Sequence, residues 1–139
     1  MIKKAGCILI NQNKKEIALV CRKGKYSFPK GHLEENETIK ECAIRETIEE
    51  TGHECELLNN KEIKIINYKD SKGQDVEVYF YLAMDKGKTS KTIENNKKEQ
   101  TKWVKLDDVE KTLSHQNLIE FWKSIKNKIE EVIQWRNII

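Results

Sequence analysis

The chain has 139 residues, a length that predicts one domain, residues 1–139, with a hydrophobic core of its own. Its 26 Lys and Arg and 23 Asp and Glu leave a net charge of only +3, and the lysines are scattered, which argues against a dedicated nucleic-acid-binding domain. The sequence contains no run of signal-peptide or membrane-span character and no CxxC pair among its four cysteines, so we expect a cytoplasmic protein with reduced thiols and no membrane contact.

The chain opens with two apolar runs, residues 5–10 and 17–21, separated by a polar turn. This arrangement predicts a β-hairpin. The segment 26–32, with sequence YSFPKGH, follows. It contains the only proline, Pro29, close to Gly31, which predicts a fixed bend and not a strand.

A helix is predicted next. Thr38 is a candidate N-cap with Glu41 three residues later, which is a capping box, and Gly52 is suited to end the helix. Near the end of this helix stand three glutamates that fall within an arc of about 100° on the helical wheel: Glu46, Glu49 and Glu50. The apolar residues at the start of the helix point in nearly the same direction.

Such crowding of carboxylates is unfavourable. Like charges at i,i+4, such as Glu46 and Glu50, cost about 0.2–0.5 kcal/mol, and each anion near a helix C-terminus costs about 0.3–1 kcal/mol. Arg45 alone does not neutralise three carboxylates. A hard divalent cation, Mg²⁺ or Mn²⁺, would do so and suits oxygen ligands. The alternative interpretation is a solvated acidic face on an ordinary surface helix.

The residues from 31 to 53 resemble the signature of the Nudix hydrolase family. All its glycine and charged positions occur at the family spacing: Gly31, Glu37, Arg45, Glu46, Glu49, Glu50 and Gly52. Thr47 and His53 stand where the family usually has aliphatic residues, a difference that we expect to affect packing around the helix.

The resemblance implies roles for several of these residues. Glu46, Glu49 and Glu50 would bind the metal together with the backbone carbonyl of Lys30, and Glu37 would pair with Arg45. Gly31, Glu37 and Gly52 would be structural. The FPKGH stretch resembles that of hydrolases acting on dinucleoside polyphosphates, so the Lys30 ammonium and His32 are candidates for phosphate binding. The alternative for both is an exposed loop position.

Strands are predicted at 55–58, 62–68 and 76–84, with a turn at 70–73. In the last of these strands Tyr79 and Tyr81 share one face. In a nucleotide enzyme such tyrosines, and also Tyr26, could stack on a base. Ordinary packing against the sheet is the alternative for each of them.

The remaining chain adds a polar loop at 86–98, a strand at 101–106 and a long amphipathic helix. Nudix enzymes often carry a further glutamate in such a loop, as a metal ligand or general base; Glu99 is our candidate, with Glu94 second. Four apolar residues near the end of the chain should extend past a compact domain and suggest a homodimer contact. These residues are Ile133, Trp135, Ile138 and Ile139.

The order of elements predicts a mixed β-sheet between helices, an α/β/α sandwich of the Nudix type. The resemblance implies metal-dependent hydrolysis of a phosphoanhydride bond in a nucleoside diphosphate linked to another group. Our first candidate for the substrate is a dinucleoside polyphosphate such as diadenosine tetraphosphate. Glu46, Glu49 or Glu99 would be the general base, with Arg45 orienting the carboxylates.

Two alternatives remain. The first is a nucleoside triphosphate pyrophosphohydrolase acting on oxidised nucleotides. The second, from another class, is a non-catalytic module that binds a nucleotide or an RNA cap. A capped RNA end is the only nucleic acid that we expect as a partner.

Overall fold

A computed structural model describes residues 1–93 and 100–138, with side chains in the last helix described as far as Trp135. Its elements are β1 Ile2–Asn11, β2 Glu16–Arg22, β3 Lys25–Ser27, β4 Lys30–His32, α1 Ile39–Thr51, β5 His53–Leu57, β6 Lys64–Lys69, β7 Asp75–Lys88, β8 Gln100–Lys105, a 3-10 turn Leu106–Asp108, α2 Val109–Thr112 and α3 Gln116–Ile138. Among these residues, no helix has both the length and the apolar character required to cross a membrane.

The strands form one mixed sheet. Its main path runs β3-β2-β1-β7-β5, while β4 pairs with β1, β6 with β7 and β8 with β2. The central pair, β1 and β7, is parallel from Ile2 opposite Val76 to Ile10 opposite Met84. The other pairings are antiparallel, including the predicted hairpin of β1 and β2.

Alternate residues of β7 face opposite layers, as the period of two of a β-strand requires. Val78, Phe80 and Leu82 pack in the larger core with the apolar face of α3, which includes Phe121 and Trp122. The intervening residues of β7, Tyr79, Tyr81 and Ala83, pack on the other side with Cys42 and Ala43 of α1. The sheet therefore lies between helices, which confirms the predicted α/β/α sandwich.

The segment 26–32 differs from the prediction. It forms two three-residue strands, β3 and β4, with Pro29 buried in the bend between them. β4 pairs with the first half of β1, Gly6 opposite Lys30, whereas β2 pairs with its far end, Ile10 opposite Ile17. The close approach of β4 requires Gly6, since a Cβ there would overlap the Pro29 carbonyl oxygen and the Lys30 backbone.

Helix α1 has the two predicted ends. The Thr38 hydroxyl accepts a hydrogen bond from Glu41 N at 3.1 Å, and Glu41 Oε1 accepts one from Thr38 N at 2.9 Å. Gly52 ends the helix in the left-handed conformation, φ 74°, and its N–H donates to the Ile48 carbonyl at 2.8 Å. These contacts satisfy backbone groups that the ends of a helix otherwise leave unpaired.

The two residues that depart from the family signature are packed around this helix. Thr47 is fully buried, and its hydroxyl donates to the Ala43 carbonyl at 2.8 Å. The His53 ring lies 2.8 Å from Asp85 Oδ1 and contacts the edge of Trp103. The Thr47 contact lies within α1, whereas His53 connects the residue after the end of the helix to β7 and β8.

The cysteines are free thiols. Burial raises the pKa of Cys42 to about 12, which keeps this thiol protonated at neutral pH.

At the C-terminal end of α3, Ile133 is buried at 3% exposure, so it packs in the core and does not extend past it. Trp135 is 63% exposed, as predicted for this end of the chain.

Candidate active site

A groove of about 400 Å³ lies where β1, β2, β3 and β4 meet the C-terminal half of α1. Its lining combines acidic side chains from the helix and the preceding loop with basic side chains from the strands. The lining residues are Lys4, Val20, Arg22, Ser27, Lys30, Gly31, His32, Glu34, Glu46 and Glu50.

Glu46 reaches this groove by packing on Gly31. A Cβ built on Gly31 would overlap the Glu46 carboxylate, so glycine is required at this position for space. Gly31 has no positive φ, in contrast to Gly52 at the end of the helix. The two ends of the signature are therefore glycines for different reasons.

Glu50 connects α1 to β4. Its Oε1 accepts a hydrogen bond from the backbone N–H of Lys30 at 2.9 Å. Because Lys30 and Gly31 are neighbours, Glu46 and Glu50 lie against adjacent residues of β4. The last turn of the helix is thereby held at a fixed position beside the strand.

Arg45 is the centre of a polar network beside the groove. Its guanidinium donates to both carboxylate oxygens of Glu37, and to Glu46 Oε2 and Glu49 Oε2 at 3.1 Å each. It also donates to the His32 carbonyl at 3.0 Å. The hydrogen bond from Arg45 lowers the pKa of Glu37, and the contact with Glu37 in turn raises the pKa of Arg45. This network fixes the orientation of the α1 carboxylates relative to the β4 backbone.

A basic wall faces the carboxylates. Lys4 lies opposite His32 in the pairing of β1 with β4, and Arg22 and Lys30 line the same groove. Burial is the largest cause that lowers the pKa of Lys30, and the charge of Lys4 lowers it further. The pKa of His32 is also lowered by burial and by the charges of Lys4 and Lys30. Cations this close together favour an anionic ligand such as a phosphate chain.

The donor set fits a hard divalent cation. In residues 1–93 and 100–138 the side chains are not arranged as a ready cluster of three or more Asp, Glu, His or Cys ligands. The Glu46 carboxylate instead accepts a hydrogen bond from Arg45, and the Glu50 carboxylate accepts one from the Lys30 N–H. Glu46 and Glu50 nevertheless offer carboxylate oxygens to one groove beside β4, and oxygen is the ligand type that Mg²⁺ and Mn²⁺ prefer.

Glu49 lies on the other side of Arg45 from this groove. It lines a neighbouring cleft with Ile44, Ile48 and Ile93, and shares the Arg45 guanidinium with Glu46. The structure thus brings Glu46, Glu50, Lys30 and His32 into one groove and places Glu49 beside it.

A second cleft of about 450 Å³ adjoins the groove, and Lys30 lines both. It lies between the sheet and the start of α3, and its lining is largely apolar and includes two aromatic residues. The other residues that line it are Ile66, Tyr68, Lys69, Val78, Phe80, His115, Asn117 and Leu118. A flat apolar group attached to a phosphate in the groove could enter this cleft.

The three tyrosines chosen from the sequence lie elsewhere. Tyr79 and Tyr81 pack on the α1 side of the sheet, where Tyr81 is buried and the Tyr79 hydroxyl donates to Glu77 at 3.1 Å. Tyr26 packs near the start of α3, and its backbone N–H donates to the Ser114 hydroxyl at 2.8 Å. Glu94 and Glu99 lie outside the described residues.

Several residues of the site escaped sequence reasoning. The sequence predicts only a solubilising surface role for Lys4, and it gives no role in the site to Arg22, Gly6 or Tyr68. The absence of any acidic residue between Ile17 and Leu33 was an available signal for the basic wall. Only strand pairing brings Lys4 and Tyr68 towards Lys30.

The family model for the NUDIX domain matches residues 2–124 of the chain. Among curated proteins, the m7GpppN-mRNA hydrolase dcap-2 of Caenorhabditis elegans is 34% identical over 110 residues, which are 75% of this chain. The match covers 14% of that relative, and two further curated Nudix hydrolases are covered over 13% and 20%. The chain therefore spans a small part of these relatives.

Two solved structures share the fold. The structure of a C. elegans Ap4A hydrolase superposes with a TM-score of 0.74 at 21% identity, covering 94% of this chain and 99% of that one. A NUDIX-family hydrolase from Clostridium perfringens gives a TM-score of 0.73 at 19% identity, covering 91% and 97%. At these identities the comparison establishes the fold alone.

Proposed function

The chain belongs to the Nudix hydrolase family, and we propose that it hydrolyses a phosphoanhydride bond in a nucleoside diphosphate linked to another group. One observation carries the proposal: the Glu46 and Glu50 carboxylates share a groove with Lys4, Arg22 and Lys30. Carboxylates suited to a cation and ammonium or guanidinium groups suited to phosphates are what cleavage of a polyphosphate requires.

Members of this family generally use divalent metal ions, and the proposed ion is Mg²⁺, with Mn²⁺ as a substitute. Glu46, Glu49, Glu50 and the Lys30 carbonyl are the proposed ligands. When bound, such an ion neutralises phosphate oxygens and lowers the pKa of water. Lys4, Arg22 and the Lys30 ammonium hold the remaining phosphate charge, and His32 lies at the same wall.

A carboxylate accepts a proton from the attacking water. Glu46, Glu49 and Glu99 are the candidates for this general base. Arg45 does not touch the substrate in this scheme; it keeps Glu46 and Glu49 oriented through the contacts at 3.1 Å. Loss of these contacts would let the carboxylates repel each other and turn away.

A dinucleoside polyphosphate such as diadenosine tetraphosphate is the proposed substrate. The cleft lined by Tyr68 and Phe80 supports it, since Lys30 would bind phosphate at the point where the cleft and the groove meet. Clefts of this size and apolar character are typical of small-molecule sites. An oxidised nucleoside triphosphate, cleaved to a monophosphate and pyrophosphate, is the second candidate.

The test is hydrolysis of diadenosine tetraphosphate in the presence of Mg²⁺, with the products identified. We expect activity in the wild type, and a loss of at least about 100-fold in Glu50→Gln, because the variant removes charge from the site. Glu56→Gln, an exposed position on β5, is the matched control and should keep full activity.

Equal product release from the wild type and Glu50→Gln would contradict the proposed site. Tight nucleotide binding without hydrolysis of any phosphoanhydride tested would favour the non-catalytic module, including one that binds an RNA cap. Products from an oxidised triphosphate but not from the dinucleotide would favour the second substrate.

Self-association is a separate proposal. Residues 1–139 would act as one domain, and the exposed Trp135 would contribute to a homodimer contact at the end of α3. Sedimentation of the wild type and Trp135→Ala at high micromolar concentration tests it. A monomeric wild type would contradict it.

A further inference from the structure

The C-terminal end of α1 has an unfavourable distribution of charge. The last carbonyl groups of a helix have no partner within it, and a lysine or arginine near this end often supplies the donors. The last turn of α1 contains no basic residue, and Glu49 and Glu50 stand there instead. Carboxylates at this end also oppose the helix dipole. The carbonyl groups therefore need donors from neighbouring elements.

Strand β8 supplies such a donor. The Thr101 hydroxyl lies 3.4 Å from the Glu50 carbonyl oxygen and 3.5 Å from the Thr51 carbonyl oxygen, which is the arrangement of a bifurcated hydrogen bond. The next carbonyl group, that of Gly52, accepts from the Thr89 N–H at 2.9 Å. Two of the three acceptors thus depend on the one hydroxyl of Thr101.

Strand register explains why this hydroxyl reaches the helix. Thr101 lies opposite Val20 in the pairing of β8 with β2, and Val20 lines the groove. Trp103 is two residues further along β8 and so lies on the same face, where its ring contacts the His53 ring just after the helix. This face of β8 therefore packs against the end of α1.

Glu50 is held at two points. Its carbonyl oxygen accepts from the Thr101 hydroxyl, and its Oε1 accepts from the Lys30 N–H at 2.9 Å. The backbone is thus fixed by β8 and the side chain by β4. Loss of the backbone contact would let the last turn of α1 unwind, and the carboxylate would then leave the Lys30 N–H and the groove.

A neutral donor suits this position better than a cation. An ammonium or guanidinium group could satisfy the same carbonyl oxygens, but its charge would also attract the Glu50 carboxylate and compete with a divalent ion for it. The Thr101 hydroxyl donates without cancelling negative charge. It therefore closes the helix and leaves the carboxylates available to an ion.

We infer that Thr101 is a positioning residue, which holds the Glu50 carboxylate in the groove through the last turn of α1. Thr101 touches neither substrate nor metal ion in this scheme. The inference rests on the proposed function for the use of Glu50 as a metal ligand, but the contact by which Thr101 holds Glu50 does not.

Removal of the hydroxyl tests this role. Thr101→Val keeps the β-branched shape, and Thr101→Ser keeps the hydroxyl. Amide hydrogen exchange at Lys30, measured by NMR without metal, reports whether Glu50 Oε1 still accepts from this N–H. We expect exchange about 3- to 10-fold faster in Thr101→Val, which loses one hydrogen bond, and exchange close to that of the wild type in Thr101→Ser. Thr101→Ala, a second variant without the hydroxyl, should behave as Thr101→Val.

The affinity for Mn²⁺ should follow the same order, with Thr101→Val weaker by about tenfold. Thr112→Val is the matched control. The half-buried Thr112 hydroxyl donates to the Asp108 carbonyl at 2.7 Å and lies outside the groove, so this variant loses a contact of the same kind elsewhere. It should change Lys30 exchange and Mn²⁺ affinity far less. Equal changes in Thr112→Val would indicate a general loss of stability and overturn the inference.

The two proposals fail separately. If the wild type hydrolyses no phosphoanhydride but Thr101→Val speeds Lys30 exchange and weakens Mn²⁺ binding, the proposed function fails and the positioning role stands. If the wild type is active and Thr101→Val matches it in both measurements, the inference is overturned and the proposed function stands.

Discussion

The Glu46 carboxylate rests on Gly31 so closely that a methyl group at Gly31 would overlap it. The obstacle is the far end of a flexible side chain, and that side chain can rotate away. A substitution at Gly31 therefore acts on the site more than on the fold. The same contact explains why a glycine with an ordinary φ stands at the start of the signature.

Gly31→Ala should reduce activity with little loss of stability. Displacement of Glu46 from β4 should lower kcat/KM by about 10- to 100-fold, the range found when residues that orient metal ligands are changed. Urea unfolding should give a midpoint close to that of the wild type. Wild-type activity in Gly31→Ala would show that the position of Glu46 against β4 is unimportant.

Gly6→Ala should do the reverse and destabilise the fold. A Cβ at Gly6 meets the Pro29 carbonyl oxygen and the Lys30 backbone, neither of which can rotate away. Overpacking of this kind costs about 1–3 kcal/mol in the free energy of unfolding. Chemical denaturation measures this loss, and an unchanged midpoint would contradict the close pairing of β1 and β4.

Arg45→Lys should impair activity although it conserves charge. The guanidinium contacts Glu37, Glu46 and Glu49 at once, together with the His32 carbonyl, and a lysine ammonium cannot reproduce this planar set. We expect kcat to fall by about 10- to 100-fold. Lys40→Arg, on the same helix, is the control. Full activity in Arg45→Lys would contradict the proposal that Arg45 orients Glu46 and Glu49.

The Glu37–Arg45 contact should make stability depend on pH. The hydrogen bond from Arg45 lowers the pKa of Glu37 in the folded state, so its contribution is present above the unfolded pKa of about 4.3 and is lost as the pH falls through the lower folded pKa. The wild type should therefore be more stable than Glu37→Gln at pH 7, and this difference should shrink below pH 4. A difference that grows on acidification would contradict the assignment.

Tyr68→Ala should weaken substrate binding. If a base enters the cleft beside Tyr68, loss of stacking at about 1–3 kcal/mol should raise KM by about tenfold or more with a smaller effect on kcat. Tyr79→Ala, which removes a ring on the opposite side of the sheet, is the matched control. A larger rise in KM for Tyr79→Ala than for Tyr68→Ala would indicate that the base binds at the face predicted from the sequence.

The sequence predicted the features that depend on local spacing. The capping box of Thr38 and the end of α1 at Gly52 follow from helical geometry, and the resemblance to the family signature implied the pairing of Glu37 with Arg45. The alternating pattern of residues 76–84 also predicted a strand with two different faces. These are properties of a short segment and need no knowledge of its partners.

The features that were missed depend on which strands pair. Tyr79 and Tyr81 were candidates for stacking on a base, with ordinary packing against the sheet as the alternative, and they lie on the face that α1 covers. Lys4 reaches the groove only because β4 pairs with the first half of β1. No local pattern encodes these long-range pairings.

The most direct test of the account is the affinity for Mn²⁺, measured by electron paramagnetic resonance without substrate. The wild type should bind the ion, and Glu46→Gln and Glu50→Gln should each weaken binding by about tenfold or more, whereas Glu56→Gln should not, because only the first two carboxylates share the groove with Gly31. Equal affinity in all four proteins would contradict the claim that the end of α1 is a metal site.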